Sequence, residues 1–241
     1  MSQSAKTQNK QLKTQNSLWL SVILCLLCLG NGCRIAPGGF FGDVTPPPRQ
    51  QLVFANDSEP HSLDPHKIQG VPDMNVTREL FEGLTVAAPK TLEPVPAGAA
   101  SWESQQDGQV WIFHLRPTAR WTDGQPVTAG DYVYAWQRAL NPETGSLYGI
   151  LLGDLRNAEK FSTEIDETTG KSKHDASILG VTAVDDLTLR VEQERPAPYF
   201  LQLTSHSVFA PVPRKAIEAF GPAWTRPEHI VSNGPFKLIS H

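Results

Sequence analysis

Apolar and polar positions alternate most clearly at Val110–Leu115, where Trp111, Phe113 and Leu115 recur on every second residue and predict a strand with one buried face. Arg116-Pro117 stops that run. Asp123-Gly124 then supplies the positive backbone angle of a tight turn, and Thr128 with Asp131 three residues on has the form of a capping box. Val133, Trp136 and Leu140 predict the apolar face of the helix that follows, which Asn141-Pro142 ends.

On the N-terminal side, Gln51–Ala55 alternates as a short strand and leads into turns at Glu59-Pro60 and Asp64-Pro65. Val76, Leu80 and Leu84 recur every fourth residue, so they predict a helix. Asp73 stands near its positive end and Gly83 is its expected C-cap. Thr85–Ala88 reads as a strand. Further on, a short helix is expected near Leu155–Phe161 and a hairpin pairs Val181–Val184 with Leu187–Val191 about Asp185-Asp186, with Leu187, Leu189 and Val191 on one face. The polar run Ser162–Ser177 reads as a solvated loop. After Arg195-Pro196 a helix is expected about Ala197–Leu203, then extended chain at Val208–Val212. A second helix should start at Pro213 with Ile217 and Phe220 inward. Asn233-Gly234-Pro235 reads as a turn opening a strand at Phe236 and Leu238.

The first segment has a different character. Lys6, Lys10 and Lys13 precede a twelve-residue apolar run, Leu18–Leu29, too short to span a bilayer comfortably, which predicts a cleaved export signal over 1–32. Gly30, Asn31 and Gly32 place small residues before Cys33, the expected lipidation site and new N-terminus of a lipoprotein. Gly30, where lipoprotein signals carry leucine, speaks for an ordinary signal peptide instead. Residues 33–50, rich in glycine and proline, form the expected spacer. With no cysteine beyond Cys33, no disulfide framework holds the body. Three of the 21 basic residues and no acidic ones fall within 1–32, leaving 18 against 25 acidic, a balance that argues against nucleic acid as a partner.

Catalytic patterns are missing: the chain has no Gly-x-Ser-x-Gly, no His-Glu-x-x-His, no phosphate-cradling glycine loop and no cysteine nucleophile in its body. We expect no enzyme and no cofactor. His61, Asp64 and His66 could be drawn as a metal site, but histidines five apart around a proline turn read as hydrogen-bonded turn residues. The tryptophans Trp102, Trp111, Trp121, Trp136 and Trp224 read as packing residues rather than stacking platforms.

Three ungapped blocks carry a resemblance. The spacing of Trp111, His114, Leu115, Arg116, Trp121, Asp123, Gly124, Pro126, Val127, Thr128, Asp131, Tyr134, Trp136 and Arg138 resembles the signature of the extracytoplasmic solute-binding proteins of peptide ABC importers. Ser62–Leu84 and Ser232–Leu238 are similar to the same family. The resemblance implies an α/β, periplasmic-binding-protein-like bilobal fold of the peptide-binding type, here incomplete. The first lobe would comprise 51–88 and 195–241, with a β-rich subdomain, 89–194, inserted in it and the second lobe missing. That lobe is expected to hold a mixed sheet.

It also implies a function. Members capture short oligopeptides outside the cytoplasmic membrane by closing lobes around them and deliver them to a permease and its ATPase, as monomers held in the periplasm or on the membrane's outer face. By matching position, Gln69, Gly70 and Val71 form a strand-like segment that pairs with the peptide backbone, and Tyr148 approaches the ligand from the inserted subdomain. Gln69 departs from an acidic residue in a well-known member, which weakens attraction for the ligand's ammonium end. Tyr148 also reads as a surface-loop tyrosine. The alternatives are a surface lipoprotein with a sensing or interaction role, a hydrolase on the same scaffold, and a truncated non-functional fragment.

Overall fold

The structure, a computed structural model, describes residues 51, 53 and 55–240. The expected signal, spacer and Cys33 lie outside the described residues, as do positions 52 and 54 of the expected first strand. Among the described residues no helix is long and apolar enough to cross a membrane.

The body from Ala55 on is built around the predicted strand. β3 (Ala99–Gln105) and β4 (Val110–Leu115) pair antiparallel, β4 pairs with β6 (Thr188–Glu192), and β6 with β5 (Val181–Asp185), giving the order β3-β4-β6-β5. Trp111, Phe113 and Leu115 point into the core, opposite Leu189 and Val191 of β6. A smaller two-stranded sheet joins β1 (Thr85–Ala87) to β2 (Pro94–Pro96). All strand pairings among the described residues are antiparallel, so the mixed sheet expected in the first lobe is not found there.

Two antiparallel strands need only a short turn, and the one joining β5 to β6 sits one residue later than expected. Asp185 Oδ1 accepts from Leu187 N–H at 2.8 Å, while the carbonyls of Asp186 and Leu187 accept from Ala129 and Leu115 at 2.9 and 2.7 Å. Leu187 therefore lies in the turn, 37% exposed, rather than on the buried face.

Helix α2 (Ala129–Leu140) packs on β5 and β6. Asp131 reaches back to Thr128, its Oδ2 accepting the N–H at 2.8 Å, and the same carboxylate lies 3.3 Å from Trp121 Nε1. The buried face of α2 is Ala129, Tyr132, Ala135, Trp136, Ala139 and Leu140; Val133 sits half-buried at its margin. The stripe is turned by about one residue from the expected one, because the three alanines let α2 approach the sheet closely. Trp136, Phe200 and Phe209 meet edge-on, with centroids 5.4 to 6.1 Å apart, and Trp136 Nε1 donates to Phe209 O at 2.9 Å. Each such aromatic contact adds about 0.5–1.5 kcal/mol to the area it buries. Short helices α3 (Ala158–Thr163), α4 (Phe200–Leu203) and α5 (Arg214–Phe220) complete the layer.

Helix α1 (Val71–Leu80) ends differently from the expectation. Gly83 is not its cap. The last carbonyls of α1 are taken from the far end of the chain: Gly234 N–H donates to Leu80 O at 2.8 Å and Phe236 N–H to Glu79 O at 3.1 Å. Asn233 brackets Glu82, its Oδ1 accepting the N–H at 3.2 Å and its Nδ2 donating to the carbonyl at 2.9 Å. Residues 234–240 thus close a helix terminus and form no strand. Phe220 also departs from its expected inward position; it is 44% exposed and stacks on His229 at 3.9 Å, while Ala216 takes the buried position on α5.

Candidate functional site

The chain from His61 to Gly70 is a non-repetitive loop, so its backbone donors need side-chain partners. Ser62 Oγ accepts from Asp64 N–H at 3.0 Å, and Asp64 Oδ1 accepts from His66 N–H at 3.0 Å. Asp73, buried in the first turn of α1, then staples the loop to the helix. Its two oxygens accept the N–H of His61 and of Gln69, each at 2.7 Å.

That staple delivers the three predicted residues. Gln69 is exposed with its N–H engaged, and Gly70 is fully extended at φ −171°, ψ −169°. Val71 is the first residue of α1, where Pro72 follows it and pre-sets the helical angle. Val71 is therefore a helix start and not part of a strand, which corrects the expected conformation of the segment. The residue is 62% exposed, and among the described residues its N–H has no hydrogen-bond partner, as the geometry of a first helical turn dictates.

Beneath the loop lies a buried ionic cluster. Arg138, from the last turn of α2, grips Asp64 with both terminal nitrogens, Nη1 to Oδ1 at 3.0 Å and Nη2 to Oδ2 at 2.6 Å. Trp224 Nε1 adds a contact to Asp64 Oδ2 at 3.3 Å. Burial by itself would raise the Asp64 pKa, but the Arg138 hydrogen bonds and charge outweigh it and hold the carboxyl below the usual range. Arg138 Nη1 also donates to His66 Nδ1 at 2.8 Å, which places the His66 proton on Nε2. Burial, offset in part by Asp64, lowers the His66 pKa to about 3, so the ring is neutral. His61 instead lies on the exposed side, with Nδ1 3.9 Å from Asp73. The two histidines thus serve different carboxylates.

Tyr148 falls in the 3-10 segment Leu147–Leu152. It is half-buried, its ring tilted 42° against that of His206 with centroids 4.9 Å apart. The Ser207–Phe209 turn packs against both that segment and α1. A depression of about 380 Å³ opens nearby between Ser62, Lys67, Arg138 and Trp224, and none of the four predicted residues lines it.

Sequence reasoning missed His206, whose ring lies against that of Tyr148. Burial lowers the His206 pKa below the usual imidazole value. No local signal places His206 there, because it and Tyr148 are far apart in the chain.

Residues 93–241 match the family described as bacterial extracellular solute-binding proteins, family 5. The chain belongs to that family. It is 45% identical over 229 residues to the periplasmic oligopeptide-binding protein OppA of Escherichia coli, a match covering 93% of this chain and 40% of that one. Among solved structures it is similar to Haemophilus influenzae OppA in complex with the peptide RPPGFSPFR, at a TM-score of 0.71 and 40% identity, over 77% of this chain and 35% of that one. The murein tripeptide binding protein MppA of Escherichia coli superposes at 0.70 with 39% identity, over 76% and 34% of the two chains. The α/β architecture is thus that of the family-5 binding proteins. The chain spans about 40% of the length of the curated relatives it matches.

Proposed function

We propose that this chain forms part of the solute-binding component of an ABC importer that captures short oligopeptides outside the cytoplasmic membrane. The observation that carries the reading is Val71: an exposed residue at the start of a helix, its backbone donor without a partner among the described residues, beside an extended glycine on the loop that Asp73 fixes, in a chain that belongs to this family. An extended peptide pairs there through its own carbonyl, which gives affinity without reading side chains. Gln69 and Gly70 line the approach, and Tyr148 closes the other side.

The same reading organises the rest of the chain. Residues 1–32 are an export signal, Cys33 carries the lipid anchor, and 33–50 space the body from the membrane. Residues 51–88 with 195–241 belong to a first lobe into which 89–194 is inserted. The whole protein works as a monomer in the periplasm or on the membrane's outer face, with a permease and an ATPase as partners, and binds rather than turns over its ligand. An intact mass of the native protein from membrane fractions tests the anchor: acyl chains on Cys33 support it, and an unmodified mature N-terminus overturns it.

The direct test is Val71→Pro in the full-length protein, titrated calorimetrically with trialanine. Proline is at home in the first turn of a helix and the extended Gly70 tolerates it, so the substitution removes the N–H and leaves the fold. Loss of one hydrogen bond of about 0.5–1.5 kcal/mol should weaken binding several-fold, up to about ten-fold. Unchanged affinity would remove Val71 from the site, and no peptide binding by the native protein would end the receptor reading.

A further inference from the structure

The depression of about 380 Å³ lies between the 61–67 loop, the last turn of α2 and the chain that leaves α5, and none of the residues assigned to the peptide lines it. That volume falls at the small end of the range for organic ligands, about 300–1,000 Å³. Its charge is set by three side chains, Asp64, Arg138 and Lys67, which leave one positive charge over.

Asp64 has nothing to offer a ligand. Oδ1 already accepts from Arg138 Nη1 and from His66 N–H, each at 3.0 Å. Oδ2 accepts from Arg138 Nη2 at 2.6 Å and from Trp224 Nε1 at 3.3 Å, so the roughly four acceptor positions of a carboxylate are filled. A cation would find no free oxygen on it.

Arg138, by contrast, is not used up. Of the five N–H groups of a guanidinium, three hold Asp64 and His66; the Nε–H and the second Nη2–H have no partner among the described residues, and the side chain is 14% exposed. Lys67 is exposed, and none of the ion pairs among the described residues includes it. Its N–H donates to Asp64 O at 2.9 Å, a tight turn that roots it beside the cluster. Hydroxyls complete the polar side. Ser62 Oγ accepts from Asp64 N–H, which leaves its own proton to donate, and Thr225 adds a second hydroxyl to the lining. Ile217 and Pro222 supply an apolar flank.

We propose that this depression binds a small organic oxyanion, a carboxylate or phosphate monoester on an apolar body about the size of one ring, seated on Lys67 and the free edge of Arg138. Surplus positive charge with several donors on one side fits the head group through charge-assisted hydrogen bonds, and aliphatic surface on the other fits the body. The site stands apart from the peptide reading and does not rest on it.

The test titrates the full-length native protein calorimetrically with phenyl phosphate, benzoate and the neutral benzyl alcohol, alongside Lys67→Met and Thr225→Val. Lys67 is exposed and outside the ion pairs, so its replacement leaves the fold intact. The native protein should bind at least one of the anions about ten-fold or more tighter than benzyl alcohol, and the tighter anion names the head group. Lys67→Met should weaken that anion about ten-fold and leave benzyl alcohol unchanged, and Thr225→Val should weaken it several-fold. Hydrogen exchange should slow at residues 62–67 and 221–225 when the anion is bound. If neither anion exceeds benzyl alcohol, if Lys67→Met binds as the native protein does, or if slowed exchange is confined to residues 69–71, the site is overturned while peptide capture keeps its own test.

Discussion

Arg138 and Asp64, 74 positions apart, meet in a two-pronged ion pair at 3.0 and 2.6 Å with side chains only 14% and 4% exposed. It joins the end of the sheet-packed helix α2 to the loop that delivers Gln69–Val71. A pair this buried contributes little net stability once desolvation is counted, yet removing one partner strands a charge. Arg138→Gln should therefore cost about 3–5 kcal/mol in urea unfolding. The double variant with Asp64→Asn should recover part of that loss, since the stranded charge is gone. A single variant within 1 kcal/mol of native, by the scale of exposed pairs at about 0–1 kcal/mol, would show that the cluster is solvated rather than buried.

His66, touching the same arginine, makes stability depend on pH. Its folded pKa lies at about 3 against 6.5 for the ordinary ring. Between those values the unfolded chain takes up a proton that the folded one refuses. Stability is then full above about pH 6.5 and falls as pH drops, by about 1.4 kcal/mol per pH unit within the window. His66→Gln, whose amide oxygen still accepts from Arg138, should flatten the melting-temperature profile between pH 6.5 and 4.5. Parallel profiles for the two proteins would refute the assignment.

What was legible in the chain was local. The alternation of Trp111, Phe113 and Leu115, the Asp123-Gly124 turn with Gly124 at φ +89° and the Thr128–Asp131 cap each depend on neighbours a few residues away, and each is found as read. The misreadings share a cause in distant partners. Gly83 looked like a helix cap because nothing nearby says that Asn233 and Gly234 close α1 from the far end of the chain. Val71 looked like strand because Asp73, read only as a dipole partner, also gathers two loop amides and turns the chain into a helix there. His206 could not be placed beside Tyr148 without the packing of Ser207–Phe209 on the Leu147–Leu152 segment.

Asp73 is accordingly a positioning residue. In Asp73→Asn the amide nitrogen faces either His61 or Gln69 as donor against donor, so one of two buried acceptor bonds is lost. The expected cost is about 1–3 kcal/mol of stability. Peptide affinity should fall as well, because Gln69 and Val71 lose their fixed register. Weaker binding that is fully restored by lowering the temperature, with unaltered amide exchange at residues 61–71, would mean that Asp73 serves general stability and not the loop.

Two glycines separate the steric from the conformational need for that residue. Gly234 approaches α1 so closely that an added Cβ would stand 2.5 Å from the carbonyl carbon of Leu80 and 2.7 Å from Glu79 O. Backbone cannot yield as a side-chain tip does, so Gly234→Ala must push the 233–236 segment off the helix end, with a cost of about 1–3 kcal/mol. Gly124 has open space around it but a φ of +89°, so Gly124→Ala pays only the left-handed penalty of about 1–2 kcal/mol. The two differ in a second readout. Gly234→Ala should speed hydrogen exchange at the Gly234 and Phe236 amides, which lose their α1 carbonyls, whereas Gly124→Ala should leave those amides protected. Equal exchange at those sites in both variants would place the cap of α1 elsewhere.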